Sequence, residues 1–185
     1  MLPAEVERHR FDVEEYHRMV EAGALREDSR VELIGGQIID MTPIGWRHMN
    51  VLNRMNMLLA SFALEDGYAV SVQNLVRLGA HDEPEPDLAL LKDEPRNSLP
   101  GPQDTPLGIE VSESSLAYDE EVKLPLYAAA GIEEAWAVAL QVGRVGVYTE
   151  PAPDGYRALR VFGAGERARS GTVEGLALPV SAVFA

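Results

Sequence analysis

The sequence predicts one mixed α/β (α+β) domain over residues 1–185, and three observations carry that prediction. Two long stretches, Trp46 to Glu65 and Asp119 to Ala130, repeat apolar residues at helical spacing. Short β-rich runs lie between and after them, at Tyr68 to Leu78, Asp87 to Leu91, Leu107 to Ser112, Glu134 to Leu140, Arg144 to Thr149 and Tyr156 to Phe162. No internal repeat or interdomain linker divides the chain, and its length suffices for a single buried core.

Each element has a local cause. A first helix is expected from Asp12 to Ala22, with Asp12 as N-cap, Glu15 as its capping-box partner and Gly23 just past the end. Its apolar stripe is Val13, Tyr16, Met19 and Val20. Arg30 to Ile34 and Gln37 to Met41 flank Gly35-Gly36, the pattern of a tight hairpin. The long helix from Trp46 turns Met49, Leu52, Met55, Leu59 and Phe62 inward and stops at Gly67. Residues 94–106 are rich in proline and polar side chains and read as a surface loop. Pro125 falls inside the helix expected from Asp119, where it forces a later start or a kink. The tail from Ala164 is glycine-rich and weakly patterned.

Composition removes several classes of function. There is no cysteine, which excludes disulfides, thiol nucleophiles and thiolate metal sites. The opening MLPAEVERHRFDVEE is interrupted by charge too early for a signal peptide, and no apolar run approaches the ~20 residues of a membrane span. The expectation is a cytoplasmic protein without a membrane partner. A net charge of −14 opposes generic nucleic-acid binding, which draws on Lys and Arg, unless a bound divalent cation turns clustered carboxylates into a phosphate site. Gly163-Ala-Gly165-Glu-Arg-Ala168 has too little chain after it for a dinucleotide fold, and the four histidines are too scattered for a zinc site.

Three places can carry chemistry. Pro86 fixes an extended approach that sets Asp87 at the mouth of an apolar strand; the plain alternative is a solvated turn aspartate. In Leu107 to Ser112 the alternation places Gly108, Glu110 and Ser112 on one face. The glycine there leaves room for an ion or phosphate, unless this is the wet face of an edge strand. Lys123 is one of only two lysines, Lys92 and Lys123, beside fourteen arginines, which points to a need for a compact ammonium. Its plain alternative is ion pairing with Asp119 and Glu120 on an exposed helix face. Taken together, an Asp and a Glu on neighbouring strands with a Lys on the following helix suit Mg²⁺-assisted phosphodiester hydrolysis.

Several segments, in order and spacing, resemble the Uma-type endonuclease family of the PD-(D/E)xK, restriction-endonuclease-like superfamily. They are Arg30 to Met41, a proline followed by His48, Pro86-Asp87-Leu, Gly108-Ile-Glu110-Val-Ser112, and Asp119-Glu-Glu-Val-Lys123 through Tyr127 to Trp136. The resemblance runs from about Phe11 to Tyr148. It implies a restriction-endonuclease-like mixed β-sheet flanked by helices, with the site at one edge, and a Mg²⁺- or Mn²⁺-dependent endonuclease acting on nucleic acid, DNA before RNA. Asp87 and Glu110 would be catalytic metal ligands with the Val111 carbonyl, and Glu32 would bind a second metal or hold Lys123. The superfamily's lysine commonly stands two residues after the glutamate, where this chain has Ser112, so the role passes to Lys123, which would position water. His48 matches a family histidine near phosphate. Gly35-Gly36-Gln37, Glu113-Ser-Ser and Pro125 depart from the family pattern. A homodimer would let two sites address two strands. Two other readings are a non-catalytic interaction protein that keeps the nuclease fold and a metal-dependent hydrolase of a small phosphorylated substrate.

Overall fold

A computed structural model describes residues 8–26, 29–41 and 43–185. The first seven residues, on which half of the export-signal reading fell, lie outside the described residues. The fold is mixed α+β, a six-stranded sheet between helical layers. Its strands are β3 (Tyr68–Val72), β4 (Leu88–Lys92), β5 (Leu107–Ser112), β6 (Glu134–Ala139), β7 (Arg144–Ala152) and β8 (Gly155–Phe162), in spatial order β3-β4-β5-β6-β7-β8. Neighbours are antiparallel except β5 and β6, which are parallel and joined by a crossover through helices.

Alternation along β5 and β6 assigns the two faces. Leu107, Ile109, Val111, Trp136 and Val138 belong to the main core beneath helix α2 (Trp46–Asp66). Ala135 and Ala137 face the other layer, built from Leu124, Tyr127 and Ile132. Both faces of β5 and β6 are covered, so every residue of these two central strands is buried. The reading of Gly108, Glu110 and Ser112 as a wet edge-strand face is therefore corrected. The space above Gly108 is also taken: a Cβ there would lie 3.4 Å from the Tyr127 ring, so the glycine admits a tyrosine and not an ion.

Outside the sheet, α1 (Val13–Glu21) begins with the expected Asp12–Glu15 capping box. It packs Val13 and Tyr16 on the hairpin of β1 (Val31–Ile34) and β2 (Gln37–Asp40). Gly35 and Gly36 turn this hairpin with φ of 59° and 72°, values that favour glycine at both central positions. Glu83 bridges to Leu33 and draws the hairpin toward the loop before β4.

Three expectations need revision. The strand from Tyr68 stops at Val72, because Gln73 takes a left-handed φ of 48° that ends the ladder. Met49 is exposed; Leu52, Met55 and Leu59 are buried as expected with Phe62 half-buried beside them, and Val51 and Ala63 complete the inward face. The expected Asp119 helix is a composite: α3 (Leu116–Tyr118), a π-helical turn (Asp119–Lys123) and α4 (Leu124–Ala130). In the π turn the Leu124 N–H reaches the Asp119 carbonyl, and Pro125 enters at the first turn of α4, where its missing N–H costs little.

The tail is more ordered than its composition suggests. β9 (Arg167–Arg169) pairs with β10 (Ala177–Pro179), and α5 (Val180–Val183) adds Val180 and Val183 to the main core. Glu134 secures this segment from β6. It is fully buried, and its Oε2 accepts the N–H groups of Gly171 at 2.6 Å and Thr172 at 3.1 Å. Among the described residues no helix is long and apolar enough to cross a membrane.

Candidate active site

The antiparallel register of β4 on β5 pairs Leu88 with Ile109, so one step further Asp87 stands opposite Glu110. Cross-strand neighbours share a face, and strand alternation thus brings two acids far apart in sequence to one spot. β4 ends there, leaving the Val111 N–H without a ladder partner on that side. Asp87 Oδ2 accepts it at 2.9 Å. Oδ1 accepts His48 Nε2 at 2.9 Å and Gln73 Nε2 at 3.1 Å. Since an ionised carboxylate only accepts, the histidine nitrogen donates. Burial raises the Asp87 pKa, but the hydrogen bond and charge of His48, the Val111 N–H and Lys123 outweigh it and hold the carboxyl below its ordinary value.

Lys123 is buried on the π turn, and its Nζ meets Glu110 Oε1 at 2.9 Å, Glu32 Oε2 at 3.3 Å and the Glu85 carbonyl at 3.3 Å. Those three contacts use its three donors. As placed Lys123 holds two acids and a carbonyl, and the water-positioning role expected of it requires exchange of one contact. The plain alternative of an exposed ion pair is excluded by its burial. Burial alone would lower its pKa, yet the charges of Glu110 and Glu32 raise it, so the ammonium stays charged.

Glu110 also accepts a short hydrogen bond from the Tyr127 hydroxyl on Oε1. Burial pushes its pKa up to about 8, against the lowering effects of Lys123 and Tyr127, with Asp87 and Asp119 raising it further. Its contacts all fall on Oε1, and no described buried side-chain oxygen lacks a partner, so Oε2 is the oxygen turned to open space. Glu32, on β1, is the counterpart on the far side of the ammonium. Besides Lys123 it accepts the Tyr118 hydroxyl and the Glu85 N–H, each at 3.3 Å.

Asp87, Glu110, Val111, Lys123, Glu32 and His48 line one cavity of about 400 Å³, whereas Gly108 and Ser112, singled out on the same strand, do not line it. Sequence reading missed others. Asp119 is buried and lines the same cavity, its Oδ2 accepting Ser112 Oγ at 2.7 Å and Ser115 Oγ at 2.8 Å; burial raises its pKa despite those bonds. Asp119, Lys123 and Tyr127 recur every four residues, a one-face spacing that could have flagged both. Gln73, which steadies Asp87, carried no sequence signal.

For a hard divalent cation the donor set is two carboxylates, from Asp87 and Glu110, and the Val111 carbonyl, with water completing the shell. Mg²⁺ accepts such a set because it retains several waters. Asp87 spends three of its four acceptor positions on protein donors, whereas Glu110 keeps Oε2. Among the described residues no three acidic or histidine side chains are gathered around one metal position. Glu32, turned onto Lys123, stands as a holder of the lysine and not as part of a preformed second metal cluster.

Comparison with known proteins agrees with this architecture. None of the curated proteins compared with the chain matches it. A solved structure of "a putative nuclease belonging to DUF820" from Anabaena variabilis ATCC 29413 superposes with a TM-score of 0.72 at 14% sequence identity. The match covers 94% of this chain and 97% of that one. At that identity the likeness is one of fold. The family model described as "Putative restriction endonuclease" (Uma2) matches residues 13–181 and so takes in the hairpin, the cavity and the C-terminal β9–β10 segment. By that match the chain belongs to the Uma2 family.

Proposed function

We propose that the cavity hydrolyses phosphodiester bonds in nucleic acid, DNA in preference to RNA, with the help of Mg²⁺ or Mn²⁺. One observation carries the reading: two strand-borne carboxylates and a buried ammonium line a single open cavity, in a chain whose family is described as restriction endonucleases. Asp87, Glu110 and the Val111 carbonyl would hold the cation. When bound, such a cation supplies positive charge toward phosphoryl oxygens and makes a water more acidic.

The chain's own groups set the conditions. His48 and the Val111 N–H keep Asp87 ionised and aimed. Lys123 holds Glu110 through Oε1, leaving Oε2 for a ligand, and contributes a fixed positive charge where a phosphate would build negative charge. Glu32 and the Glu85 carbonyl fix the ammonium from the other side. A single domain over residues 1–185 and a cytoplasmic setting go with this reading.

The test is cleavage of duplex DNA, RNA and a panel of phosphorylated small molecules with Mn²⁺ and with chelator. Asp87→Asn and Glu110→Gln should each remove Mn²⁺-dependent DNA cleavage while far-UV circular dichroism is unchanged. Wild-type cleavage in either variant overturns the site assignment. Activity confined to the small molecules would favour the small-substrate hydrolase, and Mn²⁺ binding without turnover would favour an interaction protein.

A further inference from the structure

The outer face of α2 has no partner among the described residues, and its composition is unlike the rest of this charged chain. With 3.6 residues per turn, Trp46, Met49, Asn50, Asn53, Met57, Ala60, Ser61 and Leu64 fall within an arc of about 120° opposite the buried Met55. None of them is charged. Trp46, Met49, Met57 and Leu64 are 70%, 48%, 64% and 87% exposed. Water-facing helix surfaces are normally rich in charge, and an uncharged stripe that exposes Trp, two Met and Leu among Asn, Ala and Ser is suited to be covered by a partner.

Along that face Trp46, Asn50, Asn53, Met57, Ala60 and Leu64 are separated by four, three, four, three and four residues, the alternation of a coiled-coil seam. The series is also symmetric about Met55. Laid antiparallel on a copy of itself, it sets Trp46 against Leu64, Asn50 against Ala60 and Asn53 against Met57, each pair occurring twice. We propose that this face is a two-fold dimer interface in which α2 packs antiparallel on the α2 of a second copy of this chain.

Electrostatics select that occupant over others. Two copies at −14 each repel, so they meet most readily on an uncharged face. Arg47 and Glu65 lie on the same flank at opposite ends of the seam, and a two-fold antiparallel pair brings the half-exposed Arg47 of each copy toward Glu65 of the other, although Arg47 also faces Glu113 at 3.8 Å. Arg54 borders the seam near its midpoint, and the two copies of it can turn outward to solvent. Nucleic acid fits the seam less well, because the arc offers no Lys or Arg to phosphates. The inference is independent of the hydrolytic reading, since it concerns the face of α2 turned away from the sheet.

Analytical ultracentrifugation of the full chain at 10–100 µM should show a dimer (concentrations chosen to span roughly the micromolar range of ordinary weak dimers). Met57→Glu and Leu64→Glu should each raise its dissociation constant at least tenfold, with unchanged circular dichroism. The chain has no cysteine, so the double variant Trp46→Cys/Leu64→Cys reports contact cleanly. Those positions lie about 27 Å apart on one helix, too far for an intrachain bridge. Under diamide the double variant should become a covalent dimer. A monomeric wild type, a dimer indifferent to both glutamate substitutions, or a dimer that the cysteine pair fails to trap each overturns the proposal. A monomer whose Trp46 fluorescence is quenched by an oligonucleotide, readable because Trp136 is buried, would overturn it in favour of nucleic acid.

Discussion

Replacing Lys123 by methionine keeps most of the side-chain volume and deletes the charge. In the native protein Lys123, Glu32 and Glu110 are all buried, with the ammonium 3.3 Å and 2.9 Å from the two carboxylates. Removing it leaves two buried acids facing each other, with Asp119 nearby on the same cavity wall. Stripping one member from a buried ionic group costs about 3–5 kcal/mol, because the remaining charges lose their compensation. With a urea slope of about 2 kcal/mol/M, the unfolding midpoint should fall by roughly 1.5–2.5 M. Lys92, at the exposed end of β4, provides the control, and Lys92→Met should stay within about 0.5 kcal/mol of wild type. Adding Glu32→Gln to Lys123→Met removes the other buried acid that the ammonium faces and should restore part of the loss. A Lys123→Met protein within about 1 kcal/mol of wild type, or no recovery in the double variant, would refute the account of Lys123 as the charge that holds Glu32 and Glu110 together.

Without metal, stability should depend on pH through Glu110. Its native pKa of about 8 lies above the ordinary 4.5, so the native state holds this proton more tightly than the unfolded chain. That contribution is complete below pH 4.5 and is lost as pH rises to about 8. The stability of Glu110→Gln relative to wild type should therefore climb from pH 5 to pH 8, by at most about 1.4 kcal/mol per unit, in denaturant melts; a constant difference would exclude the shift. At the other end of the sheet, Glu134→Ala strands the Gly171 and Thr172 N–H groups and leaves a void beside Trp136, whose indole N–H also donates to Glu134. A loss of about 2–4 kcal/mol is expected, together with faster proteolysis around residue 171. Equal proteolysis in both proteins would remove Glu134 as the anchor of the tail.

Much of this architecture was legible because its causes are local. The Asp12–Glu15 box starts α1, Gly35-Gly36 turns the hairpin and Gly67 ends α2, each needing only its immediate neighbours. The elements misread were decided elsewhere. Val72 ends its strand because Gln73 turns left-handed, and the Gln73 side chain in that turn is held by Asp87, fourteen residues on. β5 looked half-wet because alternation cannot reveal that α4 covers its second face. Glu134 looked like an ordinary strand start, and only its hydrogen bonds to Gly171 and Thr172 show what the tail leans on. The acids and the lysine were recognisable one by one, but their meeting depends on the Leu88–Ile109 register and on a helix whose π turn no propensity would suggest.

That π turn explains how a lysine thirteen positions past Glu110 comes to lie against its carboxylate, which under the proposed function gives it the role the resemblance places two positions past the glutamate. Ser112 occupies the usual place, on the same strand face as Glu110, and its hydroxyl grips Asp119 at 2.7 Å. Asp119 opens the π turn and Lys123 closes it, so the serine fixes the start of the segment that delivers the ammonium. A π turn carries one more residue per hydrogen-bonded ring than an α turn and so rotates the helix beyond it. That extra residue lets Pro125 enter α4 at its first turn, while Lys123 points down onto Glu110 and Tyr127 comes one turn later to meet the same carboxylate oxygen. The serine, the proline and the lysine, which look like separate departures in sequence, are parts of one geometric solution that keeps positive charge over Glu110 without a lysine on the strand.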